Sequence, residues 1–226
     1  MYQTEVDGIH HELGTSGFLY RSNKLMYDHK TESYWSTLRG EPVVGPLVGK
    51  GIQLERGHVV TTSWGEWKKS NPDTTVLSKD TGHRRDYGEG VAYKNYFATH
   101  DLMFIVPERD DRLRNKDEVL ALREADDQLA ISAAYLKQHP VFHGKIAERD
   151  FVVLTDKSGA NRVYESTDVR IKTWMTTKTA IDDQGRHWDV SAESQSHSDR
   201  ILNRLPAHRA FWFGWYSQFP RTRLIK

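Results

Sequence analysis

Between residues 79 and 115 the chain concentrates side chains that could hold an anion. HRRDYGEGVAYKNYF and HDLMFIVPERDDRLRNK bring together His83, Arg84, Arg85, Asp86, Tyr87, Tyr93, Tyr96, His100, Asp101, Arg109 and Arg112. Guanidinium groups bind carboxylate and phosphate in two-pronged fashion, and tyrosine adds a neutral donor, so this composition suits a small anionic ligand. A 37-residue connection is long for a compact domain, and long connections often carry function. The competing reading is a solvated, salt-bridged linker. His83, Arg84, Arg85, Asp86, Tyr87 and Arg112, together with Asp28, form the candidate ligand-binding set.

Other chemistry-bearing residues point less clearly to a site. Asp28 and His29 are adjacent in MYDHKTESYW. Neighbours on a strand face opposite ways, so they cannot act as one acid–base pair, and Asp28 reads better as a turn residue. His10 and His11 meet the same objection as joint metal ligands, and no HExxH, HxH or carboxylate-rich loop accompanies them. No GxSxG, Walker loop or GxGxxG is present, which removes the standard hydrolase and nucleotide signatures without excluding catalysis. The sequence names no cofactor. Trp64 with Trp67, and Trp212 with Trp215, could make flat-ligand platforms, but tryptophans at helical spacing belong more often to a core. Arg56 and Arg204 read as structural partners near those helices.

Bulk properties narrow the classes of function. The 32 Lys and Arg against 31 Asp and Glu leave a formal charge of +1, so nucleic-acid binding lacks its electrostatic footprint. Without cysteine there is no disulfide, thiolate metal site or cysteine nucleophile, and the redox compartment is unreadable. No apolar run is long enough for a membrane-spanning helix, and MYQTEVDGIHHELG lacks the basic and apolar regions of an export signal. The chain is unusually aromatic, with 7 Trp, 10 Tyr and 8 Phe, so a polar sequence can still bury a core.

These residues are positioned by what reads as an internal duplication. Leu54, Arg56, Trp64, Trp67, Pro72 and Thr74 recur as Leu202, Arg204, Trp212, Trp215, Pro220 and Thr222 at a constant offset of 148. Val76 and Leu77 face Leu224 and Ile225, and upstream Trp35 faces Trp188. Each block predicts strand, helix, strand: Ser63 caps a helix in SWGE, Pro72 stops it, and TTVL follows as a strand. In the second block Trp212, Trp215, Tyr216 and Phe219 fall on one helix face. GFLYRS, KLMYDH and ESYWSTL predict short antiparallel strands with turns at SN and HKTE. KDEVLALREADDQLAISAAYLKQHP could be one helix, yet Leu120 with Leu122, and Leu129 with Ile131 and Ala133, alternate around ADDQ. A hairpin followed by a short helix at AAYLKQH is preferred, and FVVLTDKSGANRVYES adds two strands. The expected fold is α+β, mainly antiparallel β with a few short helices. Its two pseudo-symmetric tandem repeats span residues 1–78 and 116–226, joined by 79–115 in one compact unit.

GFLYRSNKLMYDHKTESYW, GEPVVGPLVG, TSWGEWKKSNPDTTVLS and FWFGWYSQFPRTRL together resemble the bacterial and archaeal proteins grouped as domain-of-unknown-function 3179. The resemblance covers nearly the whole chain and supports the hairpin reading. It also implies a hairpin, helix and strand pair ahead of the first repeat, carrying a Tyr-Cys-Pro-Leu-Cys motif that this sequence lacks. The symmetric segment here, Leu154, Thr155, Asp156, Lys157 and Ser158, has no cysteine. The first repeat is therefore expected to be N-terminally incomplete, with Met1 an internal start or the chain a fragment. An unpaired strand edge is then expected to promote homodimerisation. Family members often look exported. Two functional readings follow: a module binding a small molecule or anion between its halves, or a metal- or thiol-dependent enzyme whose cysteine motif is absent, assisted by Asp28, His83 or Tyr87. The missing catalytic signatures favour binding.

Overall fold

The computed structural model describes residues 1–176, 178–191 and 194–226, with the side chain of residue 176 left aside. Two short strands, β1 (Glu5–Val6) and β2 (Ile9–His10), pair around a tight turn and lead into the meander β3 (Leu13–Tyr20), β4 (Asn23–Asp28), β5 (Tyr34–Ser36) and β6 (Glu41–Val44). Helix α1 (Trp64–Ser70) follows, then the single turn α2 (Lys94–Phe97) inside the long connection. The predicted hairpin is β7 (Glu118–Glu124) with β8 (Asp127–Ser132), and the predicted short helix is α3 (Ala133–Gln138). Strands β9 (Val141–Ile146), β10 (Arg149–Thr155) and β11 (Asn161–Glu165) make a three-stranded sheet. A five-stranded meander comprises β12 (Ile171–Thr176), β13 (Thr179–Asp182), β14 (His187–Val190), β15 (Ser194–His197) and β16 (Arg200–Asn203). The chain closes with β17 (Ala207–Phe211), α4 (Trp212–Gln218) and β18 (Arg223–Ile225). The pairing is antiparallel except that β18 runs parallel to β8 in the sheet β17-β7-β8-β18. This is an α+β fold, and no helix among the described residues is long and apolar enough to cross a membrane.

Alternation along single strands explains how the core is layered, because successive strand residues face opposite ways. On β7, Leu120 and Leu122 enter a core shared with Leu136 of α3 and with Phe151 and Val153 of β10. Val119 and Ala121 turn instead toward Trp212, Trp215 and Phe219. The other face of β10, Val152 and Leu154, packs with Tyr164 and Trp188 over the five-stranded meander. Two strands thus serve three cores, which is why residues 118–165 read as dense apolar runs.

The first half is far less covered. Among residues 1–78 only Leu25, Trp35, Pro42 and Leu54 are buried apolar side chains. The two Trp helices are locally alike: the residue before α1, Ser63, has φ −74° and ψ 152°, and Phe211 before α4 has −74° and 144°. Their terminating residues, Asn71 and Phe219, adopt −132°, 71° and −134°, 70°. Trp67 Nε1 donates to Thr74 Oγ1 at 3.0 Å, and Trp215 Nε1 donates to Thr222 Oγ1 at 2.9 Å. Arg56 and Arg204 each sit in an isolated antiparallel bridge with a tyrosine, Tyr2 and Tyr164.

Burial separates the two helices. Trp212 and Trp215 are 0 % and 1 % exposed, whereas Trp64 and Trp67 are 50 % and 45 % exposed and α1 buries no residue. The expectation that both pairs are core is corrected for the first. The strand predicted at TTVL does not form either. Its counterpart β18 hydrogen-bonds to β8, and residues 74–77 have no such neighbour among the described residues.

Candidate functional site

The side chains singled out by sequence do not form one cluster. His83, Arg84, Arg85, Asp86 and Tyr87 are all exposed. Asp86 Oδ1 accepts from the Gly88 amide at 2.8 Å, and the Tyr87 hydroxyl lies 3.0 Å from Thr81 Oγ1, so both serve the local turn. Arg112 pairs with Asp110 at 2.9 Å and lies over the Trp212 ring, 5.3 Å from its centroid. No hydrogen bond, ion pair or ring contact joins residues 83–87 to Arg112 or Asp28 among the described residues. Just beyond that segment Lys116 is buried. Its Nζ donates to the carbonyls of Tyr96 and Thr99 and lies 3.9 Å from the Tyr96 ring centroid, so it pins the connection near α2.

Asp28 is wholly buried at the end of β4. His29 is not its partner. His11 Nδ1 lies 2.8 Å from Asp28 Oδ2, Thr31 Oγ1 donates to the same oxygen at 2.5 Å, and the Lys30 amide donates to Oδ1 at 2.9 Å. Burial pushes this carboxyl upward, but the hydrogen bonds from Thr31, Lys30 and His11 outweigh it and leave the pKa below the ordinary value. The meander of the second half has a similar turn. There Asp182 accepts from the Gln184 and Arg186 amides, the Arg186 guanidinium and Trp188 Nε1, and its pKa falls to about 2 against the upward push of burial. Both aspartates therefore clamp turns. No group of three or more His, Asp or Glu side chains is arranged to hold a metal ion among the described residues.

A different constellation lies where the first 57 residues meet β17. The isolated bridge between Tyr2 and Arg56 brings the start of the chain beside the middle of the β6–α1 loop. The Tyr2 hydroxyl donates to the Leu38 carbonyl at 3.0 Å, and its ring rests on Gly40, whose φ of +70° and close approach leave no room for a Cβ. A cavity of about 110 Å³ opens here, lined in part by Tyr2, Thr37, Arg56 and Val59 from the first half and by Pro206 and His208 from the second. Arg56 donates through Nη1 to the Arg123 carbonyl, and its Nη2 is 3.9 Å from Glu124, a carboxylate also 3.5 Å from Arg149. Arg123 donates to the Arg39 carbonyl at 2.8 Å and has no ion pair among the described residues. Arg39 and Arg123 both lie over the Phe219 ring, at 5.4 and 5.2 Å.

The electrostatics of this corner are positive. Burial, with Arg56 and Arg39 nearby, holds Arg123 below the usual arginine pKa. His208 sits on β17 opposite Ala121, edge-on to Trp215 with ring centroids 5.7 Å apart. Its Nε2 is enclosed and has no hydrogen-bond partner among the described residues. Desolvation, reinforced by the neighbouring positive charges that include Arg56 and Arg123, drives its pKa down to about 4. An enclosed imidazole nitrogen without a partner costs stability, and a ligand able to meet it would offset that cost.

A family model described as Protein of unknown function (DUF3179) matches residues 1–222. The chain belongs to this family. No curated protein and no solved structure matches. Membership in DUF3179 thus brings no reaction or ligand, and the chemistry of this member rests on its own geometry. Sequence reasoning had placed Arg56 beside a Trp helix but missed His208 and Tyr2 as its cavity neighbours. Residues 2, 56 and 208 share no spacing that a motif could express.

Proposed function

We propose that the chain is a small-anion binding module whose ligand occupies the cavity between two copies of one structural unit. The matched helix ends, the Trp–Thr hydrogen bonds and the two Arg–Tyr bridges support the reading of two copies. The anion reading rests above all on His208, whose enclosed Nε2 lacks a partner among the described residues in a cavity shared with the Arg56 guanidinium. Arg56, Arg123 and Arg39 surround this corner against Glu41 and Glu124, leaving a surplus of positive charge for a carboxylate, sulfate or phosphate to neutralise. In this reading the exposed arginines of residues 79–115 are not ligands.

Sulfate provides the test. A ligand bound only by the folded chain stabilises it by RT ln(1 + [L]/Kd), about 2.7 kcal/mol at a hundredfold excess over Kd. Sodium sulfate should raise Tm above sodium chloride of equal ionic strength, and Arg56→Gln should remove that difference while Arg84→Gln keeps it. Equal Tm in the two salts, or an unchanged sulfate effect in R56Q, would falsify the assignment.

A further inference from the structure

Hydrogen-bond donors and acceptors are unevenly divided around the anion cavity. Its polar side chains among the described residues are Tyr2, Thr37, Arg56 and His208, beside the apolar Val59, Pro206 and Ala207. Tyr2 directs its hydroxyl proton to the Leu38 carbonyl at 3.0 Å. Thr37 directs its own to the Lys24 carbonyl at 2.9 Å, with Asn23 Oδ1 also in reach. Both oxygens therefore have only lone pairs left to offer an occupant. Arg56 uses Nη1 on the Arg123 carbonyl, and its Nε and Nη2 make no hydrogen bond among the described residues, so the donors for an occupant come from this guanidinium. His208 decides the other side. Desolvation, with neighbouring positive charges that include Arg56 and Arg123, keeps its ring neutral at pH 7. A neutral imidazole carries one N–H. Placed on the enclosed Nε2, that bond would turn its positive end toward the guanidinium groups; Coulomb repulsion favours the proton on Nδ1 and a lone pair at Nε2.

We infer that the ligand of this cavity is a small hydroxycarboxylate, with its carboxylate on Arg56, its hydroxyl donating to His208 Nε2, and its short carbon body against Val59, Pro206 and Ala207. The inference rests on the anion reading proposed above and narrows it to one chemical class. A bare oxyanion satisfies the guanidinium but brings only lone pairs to Nε2, Tyr2 and Thr37, and leaves the enclosed acceptor unmet. A hydroxyl on the same molecule supplies the missing proton. Sulfate, which carries none at neutral pH, is then a partial ligand that engages Arg56 alone.

Glycolate and acetate differ by that hydroxyl and are both ionised at pH 7, so they are the direct probes. Each is titrated into the full chain carrying 15N-labelled histidine rings, with the His208 signals assigned by H208F or, where that variant folds poorly, H208Q. Glycolate should bind at least tenfold more tightly than acetate. It should also move the Nε2 resonance of His208 upfield, as a nitrogen that accepts a hydrogen bond does, and acetate should not. In folded His208→Phe the preference for glycolate should disappear, whereas Arg56→Gln should weaken both anions. Equal affinities for the two in wild type, both falling in R56Q, would overturn the hydroxycarboxylate assignment and leave the anion reading standing. A glycolate preference that survives in H208F, or a ligand-free Nε2 that already carries a proton at pH 7, would overturn it equally. Sulfate, acetate and glycolate all lacking an Arg56-dependent effect would overturn both readings together.

Discussion

His208 makes stability depend on pH in a window set by its own environment. Its pKa is about 4 in the folded chain, and an unfolded histidine titrates near the ordinary 6.5. Below 6.5 the unfolded chain takes up a proton that the folded chain refuses. Stability is thus complete above about 6.5 and is lost as pH falls toward 4. At about 1.4 kcal/mol for each pH step, the full loss is about 3 kcal/mol. Urea unfolding of wild type and His208→Gln from pH 7.5 to 4 measures it, because other titrating groups act on both proteins and drop out of the difference. The wild type should lose about 3 kcal/mol relative to H208Q across this range. Sulfate should reduce that loss, since an anion in the cavity pairs with the protonated ring and raises its pKa. Parallel stability curves for the two proteins would show that the ring does not occupy an enclosed, positively charged corner.

Other perturbations separate the parts of the fold. Asp182→Asn should cost about 2 kcal/mol at pH 7, because its pKa near 2 reflects hydrogen bonds to the charged form; the deficit should vanish as pH falls through 2, read by denaturant unfolding. Thr222→Val removes a buried acceptor of Trp215 and should cost about 1 kcal/mol, whereas Thr74→Val, serving exposed Trp67, should stay within about 0.5 kcal/mol. Lys116→Met releases the Tyr96 and Thr99 carbonyls, so limited proteolysis should cut near residues 93–100 faster than in wild type while Tm changes little.

The elements legible in the sequence were those whose pattern is local. Leu120, Leu122, Leu129 and Ile131 alternate with period two, which favoured the β7–β8 hairpin over a helix, a reading that the family resemblance also supported. Ser63 and Pro72 bracketed α1 correctly, since capping and proline chemistry act within a few residues. Asp28 was legible as a turn residue but its partner was not. Adjacent His29 drew attention, while His11, 17 positions away, reaches the carboxylate only through tertiary pairing. The cavity escaped for the same reason: Tyr2, Arg56 and His208 meet only where the first half touches β17.

Trp64 and Trp67 show why an identical local pattern need not give an identical environment. The spacing of these residues specifies a helix with an aromatic stripe, and both arms obey it down to their terminal dihedral angles. Whether the stripe is buried depends on a hairpin remote in sequence. Fully burying a tryptophan is worth several kcal/mol, so Trp215→Ala should cost about 3–5 kcal/mol and Trp67→Ala less than about 1 kcal/mol when each is measured by urea unfolding. An equally large cost for Trp67→Ala in the chain alone would mean that α1 is already packed, and that its exposed face in this fold is not the state in solution.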